Sequence, residues 1–207
     1  MDDKIKTLIK ESYNNNAGAR DKSEIEPWKV KELNKVLSKI DGENNSTLLD
    51  LGAGSGVYGK YFENNGLEVT CIDLSSGMIK LCKEKGLYAH IMDFYNLEFE
   101  ENSFDVIWSL NTLLHVPKKS IEKIFKNIKR VLKPNGLFYL GLYGGDDFEG
   151  IWEEDFYEPK RFFSFYKDEM IKELVQKYFE IESFESVKVD NRHMRFQSIL
   201  AKNEVRK

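Results

Sequence analysis

TLLDLGAGSGVYG, residues 47–59, decides how the rest of the chain is read. A short apolar run from Thr47 to Leu51 meets glycines at 52, 54 and 56, and an apolar-patterned segment from Val57 to Phe62 follows. This succession predicts strand, glycine turn and helix, the opening of a parallel βαβ unit. Glycine reaches positive φ and has no Cβ to hold off a ligand lying on the backbone. The helix that starts here aims its free N–H groups over the turn. A nucleotide-like cofactor is expected at this point, with a substrate beside it. A tight strand-to-helix turn that binds nothing is the plainer alternative.

The spacing narrows the cofactor. A dinucleotide fingerprint, GxGxxG, needs a sixth-position glycine where Val57 stands. The pattern present is D-x-G-x-G-x-G, with Asp50 ahead of Gly52, Gly54 and Gly56. A carboxylate before the turn repels a pyrophosphate and suits a cationic ligand group. S-adenosylmethionine carries an ammonium and a sulfonium and no phosphate.

Further segments follow in order. CIDLS (Cys71 to Ser75) is an acidic strand end, and MDFYNLEF (Met92 to Phe99) places a second acid after the third apolar run. FDVIWSLNTLLHVP (Phe104 to Pro117) and VLKPNGLFYLGLYG (Val131 to Gly144) carry the fourth and fifth runs. With LLDLGAGSG, these segments make residues 47 to 145 resemble a class I S-adenosylmethionine-dependent methyltransferase. The resemblance implies an α/β fold: a doubly wound, mostly parallel seven-stranded sheet with an antiparallel C-terminal hairpin, the Rossmann-like methyltransferase fold. It implies S-adenosylmethionine as the cofactor and a small-molecule methyl acceptor as the partner.

Site residues are assigned from strand ends and from that likeness. Asp73 ends the second strand, where nucleotide folds place an acid on ribose hydroxyls; capping the next helix is the alternative role. Leu74 and Met78 are candidates to cover one adenine face, although Met78 also suits a core. The resemblance implies that Asp93 accepts from the adenine amino group and that the Phe94 backbone meets the ring. Asn111, Leu114 and His115 follow the fourth strand, at the crevice where open α/β sheets bind ligands. Asn111 is counted with the cofactor contacts. If the acceptor atom must lose a proton, a base is needed, and His115 and Tyr143 are the candidates.

The two ends are less tightly matched. Met1 to Lys22 is polar, with an amphipathic start at Ile5, Leu8 and Ile9. It reads as a leader or as a lid over the cofactor, and the resemblance favours a lid bearing Tyr13 and Arg20, the latter as a fork for the methionine carboxylate. Pro27 opens a helix through Ile40, with Gly42 as its stop. Gly144 to Tyr166 mixes acids with aromatics on the ligand side. It is read as the substrate wall, with Trp152 and Arg161 as contacts and Arg161 as a candidate partner for an anion or the cofactor carboxylate; a surface cover packing its aromatics inward is the alternative. Helices are expected over Lys118 to Lys133, ended by Pro134-Asn135-Gly136, and over Ser164 to Lys177. Phe179 to Val189 and His193 to Ala201 are expected as a hairpin around Asp190-Asn191.

Composition limits the alternatives. A net charge of −4 gives no electrostatic footprint for general nucleic-acid binding. Cys71 and Cys82 lack metal-ligand spacing and are expected as buried free thiols in a reducing compartment. The start MDDKIKTLIK has no apolar signal region, and no run approaches membrane-spanning length, so a cytoplasmic protein of one domain is expected. Within it, 1–26 is the lid or leader, 27–145 the cofactor core and 146–207 the substrate-side segment with the hairpin. No oligomeric state follows from the sequence. A non-catalytic cofactor-binding module and a nicotinamide-dependent oxidoreductase are the competing functions, the second disfavoured by the failed fingerprint.

Overall fold

A computed structural model describes residues 3–21, 25–40, 46–189 and 194–204. The expected stop at Gly42, the turn Asp190-Asn191 and the strand start at His193 lie outside them.

The glycine-turn stretch forms β1 (Thr47–Leu51) and α4 (Val57–Asn64), after the leading helices α1 (Asp3–Asn15), α2 (Ala17–Asp21) and α3 (Pro27–Leu37). Next come β2 (Glu68–Asp73), α5 (Ser76–Glu84), β3 (Tyr88–Ile91), β4 (Phe104–Leu110), α6 (Lys118–Val131) and β5 (Leu132–Gly144). The chain continues through β6 (Phe148–Ile151), β7 (Phe162–Phe165), α7 (Asp168–Gln176), β8 (Glu180–Lys188) and β9 (Arg195–Lys202). Seven strands make one sheet in the order β3-β2-β1-β4-β5-β9-β8. The first five run parallel, while β9 lies antiparallel to β5 and β8 antiparallel to β9. This is the expected doubly wound sheet with its closing hairpin.

Alternation along β1 assigns its two faces. Leu49 and Leu51 join the core under α6 and α7, whereas Leu48 joins the core under α3, α4 and α5. The order reverses between β1 and β4, so their carboxyl ends open a crevice at the switch point.

Three local features differ from the expectation. Strand pairing resumes at Leu132, opposite Phe104, directly after α6, and the next pair is Val106 with Leu137. Pro134, Asn135 and Gly136 therefore bulge out within the strand and do not separate it from the helix. Asn135 is left-handed at φ 62, and a Cβ on Gly136 would meet the Asp105 carbonyl at 2.9 Å. Ser164 lies in a strand, because Phe162 to Phe165 pairs with Phe148 to Ile151 in a separate two-stranded sheet, so the last helix begins only at Asp168. Finally, Lys118 to Lys133 shortens to a helix ending at Val131. Cys71 and Cys82 are buried and free, as expected.

Candidate functional site

The three glycines of the turn are left-handed, at φ 74, 55 and 78 for Gly52, Gly54 and Gly56, but each has its own reason. A Cβ on Gly52 would lie 2.2 Å from the Thr112 methyl, and one on Gly56 2.8 Å from Leu87. These two allow close packing of the turn, Gly52 on the loop after β4 and Gly56 on the start of β3. Gly54 faces open space, with only an Arg20 nitrogen as far as 4.0 Å from an added Cβ. Its bare Cα therefore belongs to a cradle. The amides of Gly52 and Ala53 both donate to the Ile72 carbonyl at 2.9 Å, tying the turn to the end of β2.

That end of β2 carries Asp73. Its carboxylate accepts from the Gly54 amide at 3.0 Å and from the Ser75 amide at 2.8 Å. Desolvation raises its pKa, and those two amide bonds oppose the rise. Ser75 caps α5, accepting from Met78 N at 3.1 Å, so Asp73 is not needed as the cap.

Above the turn lies a cavity lined by Gly52, Gly54, Asp73, Leu74 and Phe94 on one side and by Leu110, Asn111, Thr112 and His115 on another. Ile9 and Tyr13 of α1 and Arg20 of α2 form its roof. Only about 50 Å³ is left, whereas a small-molecule site usually needs about 300–1,000 Å³. The roof is tied down at several points. Lys6 pairs with Asp93, and the Asn14 side-chain oxygen accepts from Ser75 Oγ at 2.6 Å and Gly77 N at 3.1 Å.

Tyr13 and His115 meet inside. Tyr13 Oη lies 2.8 Å from His115 Nε2, and His115 Nδ1 lies 2.7 Å from the Phe162 carbonyl. A carbonyl only accepts, so Nδ1 carries the proton and Nε2 offers its lone pair to the tyrosine O–H. Burial, with the nearby Arg161 guanidinium, pushes the histidine pKa down to about 3. His115 is thus a neutral acceptor whose lone pair is already taken, which is not the state of a poised base. Asn111 is left-handed at φ 54, held by its amide on the Gly141 carbonyl at 2.7 Å. Among the described residues its Oδ1 is buried without a partner, an arrangement that points to a functional position.

The structure thus brings Tyr13, Arg20, Gly52, Gly54, Asp73, Leu74, Phe94, Asn111 and His115 to one cavity. Other expected residues fall outside its lining. Asp50 shares the Leu48 side of β1; it is buried, accepts from the Gly59 amide of α4 and has its pKa raised to about 7, first by desolvation and then by Asp73. Gly56 shapes the turn. Met78 is fully buried core. Asp93 is spent on Lys6 and on the Tyr95 amide. Tyr143 packs on Phe196 near Lys29 and is not among the residues that line the cavity with His115. Trp152 stacks edge-on with Phe148 and Phe165, lining a different recess with Asp146 and Asp147. Arg161 is buried against Asp155. Nothing in the spacing of Lys6, Asn14 and Thr112 marks partners 60 to 87 residues away, and Asp155, six residues from Arg161, is one acid among many in its segment.

The chain is similar to several known proteins. A family model described as a methyltransferase domain matches residues 49–140. Phosphoethanolamine N-methyltransferase of Plasmodium falciparum is 31% identical over 130 residues, which are 60% of this chain and 48% of that protein. Phosphoethanolamine N-methyltransferase 2 of Caenorhabditis elegans is 29% identical over 185 residues, 85% of this chain and 41% of that protein. The chain thus spans less than half the length of these two relatives. In fold, it is similar to the Burkholderia thailandensis 1,6-didemethyltoxoflavin-N1-methyltransferase, solved with its acceptor and S-adenosylhomocysteine. The TM-score is 0.74 at 18% identity, covering 97% of this chain and 88% of the other.

Proposed function

We propose that the chain is a class I S-adenosylmethionine-dependent methyltransferase that moves a methyl group from S-adenosylmethionine to a small-molecule amine. The observation that carries the reading is the pairing of an open cradle at Gly54 with the braced carboxylate of Asp73, facing Tyr13 and His115 across the same cavity. Amines are the favoured acceptors because the two relatives of Plasmodium falciparum and Caenorhabditis elegans named above are phosphoethanolamine N-methyltransferases.

The residues present fit the donor. Asp73 offers carboxylate oxygens to a ribose diol, Leu74 and Phe94 give apolar walls for adenine, and Arg20 suits a carboxylate. When bound, the donor supplies a methyl group on a positively charged sulfur, already an activated electrophile. The chain's task is then placement and exclusion of water. Correct placement contributes on the order of 7–11 kcal/mol to barrier lowering. Asn111 Oδ1 and the Tyr13–His115 pair are the polar groups at the acceptor side, where an amine N–H finds an acceptor. The present volume is too small for the donor, so α1 and α2 must lift to admit it and close again afterwards, which makes residues 3–21 a lid.

Calorimetry with S-adenosylhomocysteine beside NADH, followed by radiolabelled methyl transfer to phosphoethanolamine and a panel of small amines, tests this. Binding of S-adenosylhomocysteine but not NADH, with turnover on at least one amine, is the expected result. Binding without turnover on any acceptor would leave a non-catalytic module, and NADH binding alone would remove the family-based reading.

A further inference from the structure

Arg161 is buried, 8% exposed, and its donors are divided with care. Nε and the backbone amide both reach Asp155 Oδ2 at 2.9 Å, and Nη2 reaches Oδ1 at 2.7 Å. Nη1 reaches Tyr13 Oη at 3.0 Å. The Tyr157 ring lies 3.9 Å from the guanidinium carbon and holds the plane in place. The next residue, Phe162, supplies the carbonyl that fixes His115. One short segment therefore grips both members of the Tyr13–His115 pair.

We infer that Asp155 and Arg161 are positioning residues, which aim the Tyr13 hydroxyl at His115 through a hydrogen-bond chain that runs in one direction only. Arginine has no acceptor, so the tyrosine oxygen must accept from Nη1. Its single proton then remains for His115 Nε2. At the far end, the carbonyl cannot donate, so Nδ1 must. With both ends fixed, the hydroxyl cannot turn around. Asp155 in turn uses both carboxylate oxygens to hold the fork, which leaves Nη1 turned toward α1. Burial works against the Asp155 carboxylate, yet the Arg161 contacts keep its pKa below the ordinary range, so the clamp is ionised throughout the neutral range.

This reading replaces the expected role of Arg161 as an anion partner of the substrate. It also makes the pair the anchor onto which α1 docks when it covers the cavity. What the pair is for rests on the transferase proposal; that it positions Tyr13 does not, and can be read without turnover.

The test is a double-mutant cycle on the full chain, with Arg161→Gln, Tyr13→Phe and the double variant, read by amide hydrogen exchange in α1 and by the NMR titration of the His115 ring. Each single change is expected to lower protection of the α1 amides by about tenfold, and the double variant by no more than either, since contacts in one chain are not additive. The groups facing His115 are Tyr13 from α1, Arg20 from α2, and Asp155 and Arg161 from the segment before β7. Removing the Arg161 charge is therefore expected to move the ring's titration to higher pH, whereas Arg161→Lys, which keeps the charge, is expected to move it less. Arg161→Lys keeps the buried charge but has one nitrogen for two partners; it carries the same exchange expectation should Arg161→Gln not fold. On an acceptor that turns over, kcat falls while the donor KM stays within about threefold, and again no further loss appears in the Tyr13→Phe background. Unchanged α1 protection in both Arg161 variants, or losses that simply multiply in the double variant, would overturn the inference.

Discussion

Tyr13 and His115, 102 positions apart in the chain, share a 2.8 Å hydrogen bond that closes α1 over the carboxyl ends of β1 and β4. Tyr13→Phe removes the bond and keeps the ring. It leaves a buried imidazole nitrogen without a partner, which costs about 1–3 kcal/mol. A lowered thermal midpoint and a turnover reduced by about tenfold or more are expected, with S-adenosylhomocysteine affinity changed much less. Calorimetry and initial rates on the same preparation check this; equal losses in affinity and turnover would count against the pair acting at the acceptor side.

Gly52 and Gly54 should respond differently to the same methyl group. Both are left-handed, so alanine strains the backbone by about 1–2 kcal/mol at either position. Gly52→Ala also strikes Thr112, so it should reduce stability strongly. Gly54→Ala carries only that backbone strain and should melt just a few degrees below wild type while losing most affinity for S-adenosylhomocysteine. Thermal melts beside calorimetric titration separate the two. Undiminished binding in Gly54→Ala would mean that no ligand lies on the turn.

Asp50 and His115 give stability opposite dependences on pH. The folded-state pKa of Asp50 is raised to about 7, so the unfolded chain loses that proton first. Stability from this group is complete below the ordinary carboxylate pKa and is lost as pH rises toward 7. Asp50→Asn should therefore stabilise the protein by about 2–4 kcal/mol at pH 8 and much less at pH 4. His115, held down to about 3, acts in the other direction: the unfolded chain binds the proton first as pH falls below about 6.5. Its contribution is present above that pH and declines down to about 3. Urea unfolding of wild type, Asp50→Asn and His115→Gln across this range reads both slopes. A pH-independent difference between Asp50→Asn and wild type would show that the buried carboxyl is not the group responsible.

Much of this architecture was legible from residue order. The glycine pattern after Leu51, the acid at Asp73 and the apolar runs through Leu140 specify a parallel sheet, because a strand buried on both faces needs continuous apolar sequence. The cavity lining was legible where it follows directly from strand ends, as at Asp73 and Asn111. Side-chain direction was not. Asp50 lies two residues from Gly52, yet alternation along β1 turns it toward α4. Met78 sits on a helix whose inner face packs into the core. The segment from Gly144 to Tyr166 hid its two-stranded sheet, since FFSF carries no alternation of apolar and polar residues. Arg161 looked free for an anion because its partner, Asp155, was one acid among many nearby.

Asp73→Ala removes the carboxylate and leaves the Gly54 and Ser75 amides to water. An affinity loss of about 10- to 100-fold for S-adenosylhomocysteine is expected from hydrogen bonds to a charged group. A variant that binds as wild type does would take Asp73 out of the site.

The account stands or falls on where the donor lies. A crystal structure with S-adenosylhomocysteine should show the adenosyl group over Gly52 to Gly54, its ribose hydroxyls on Asp73 and its sulfur turned toward Tyr13 and His115. An empty turn, or adenosine bound away from Asp73, would contradict it.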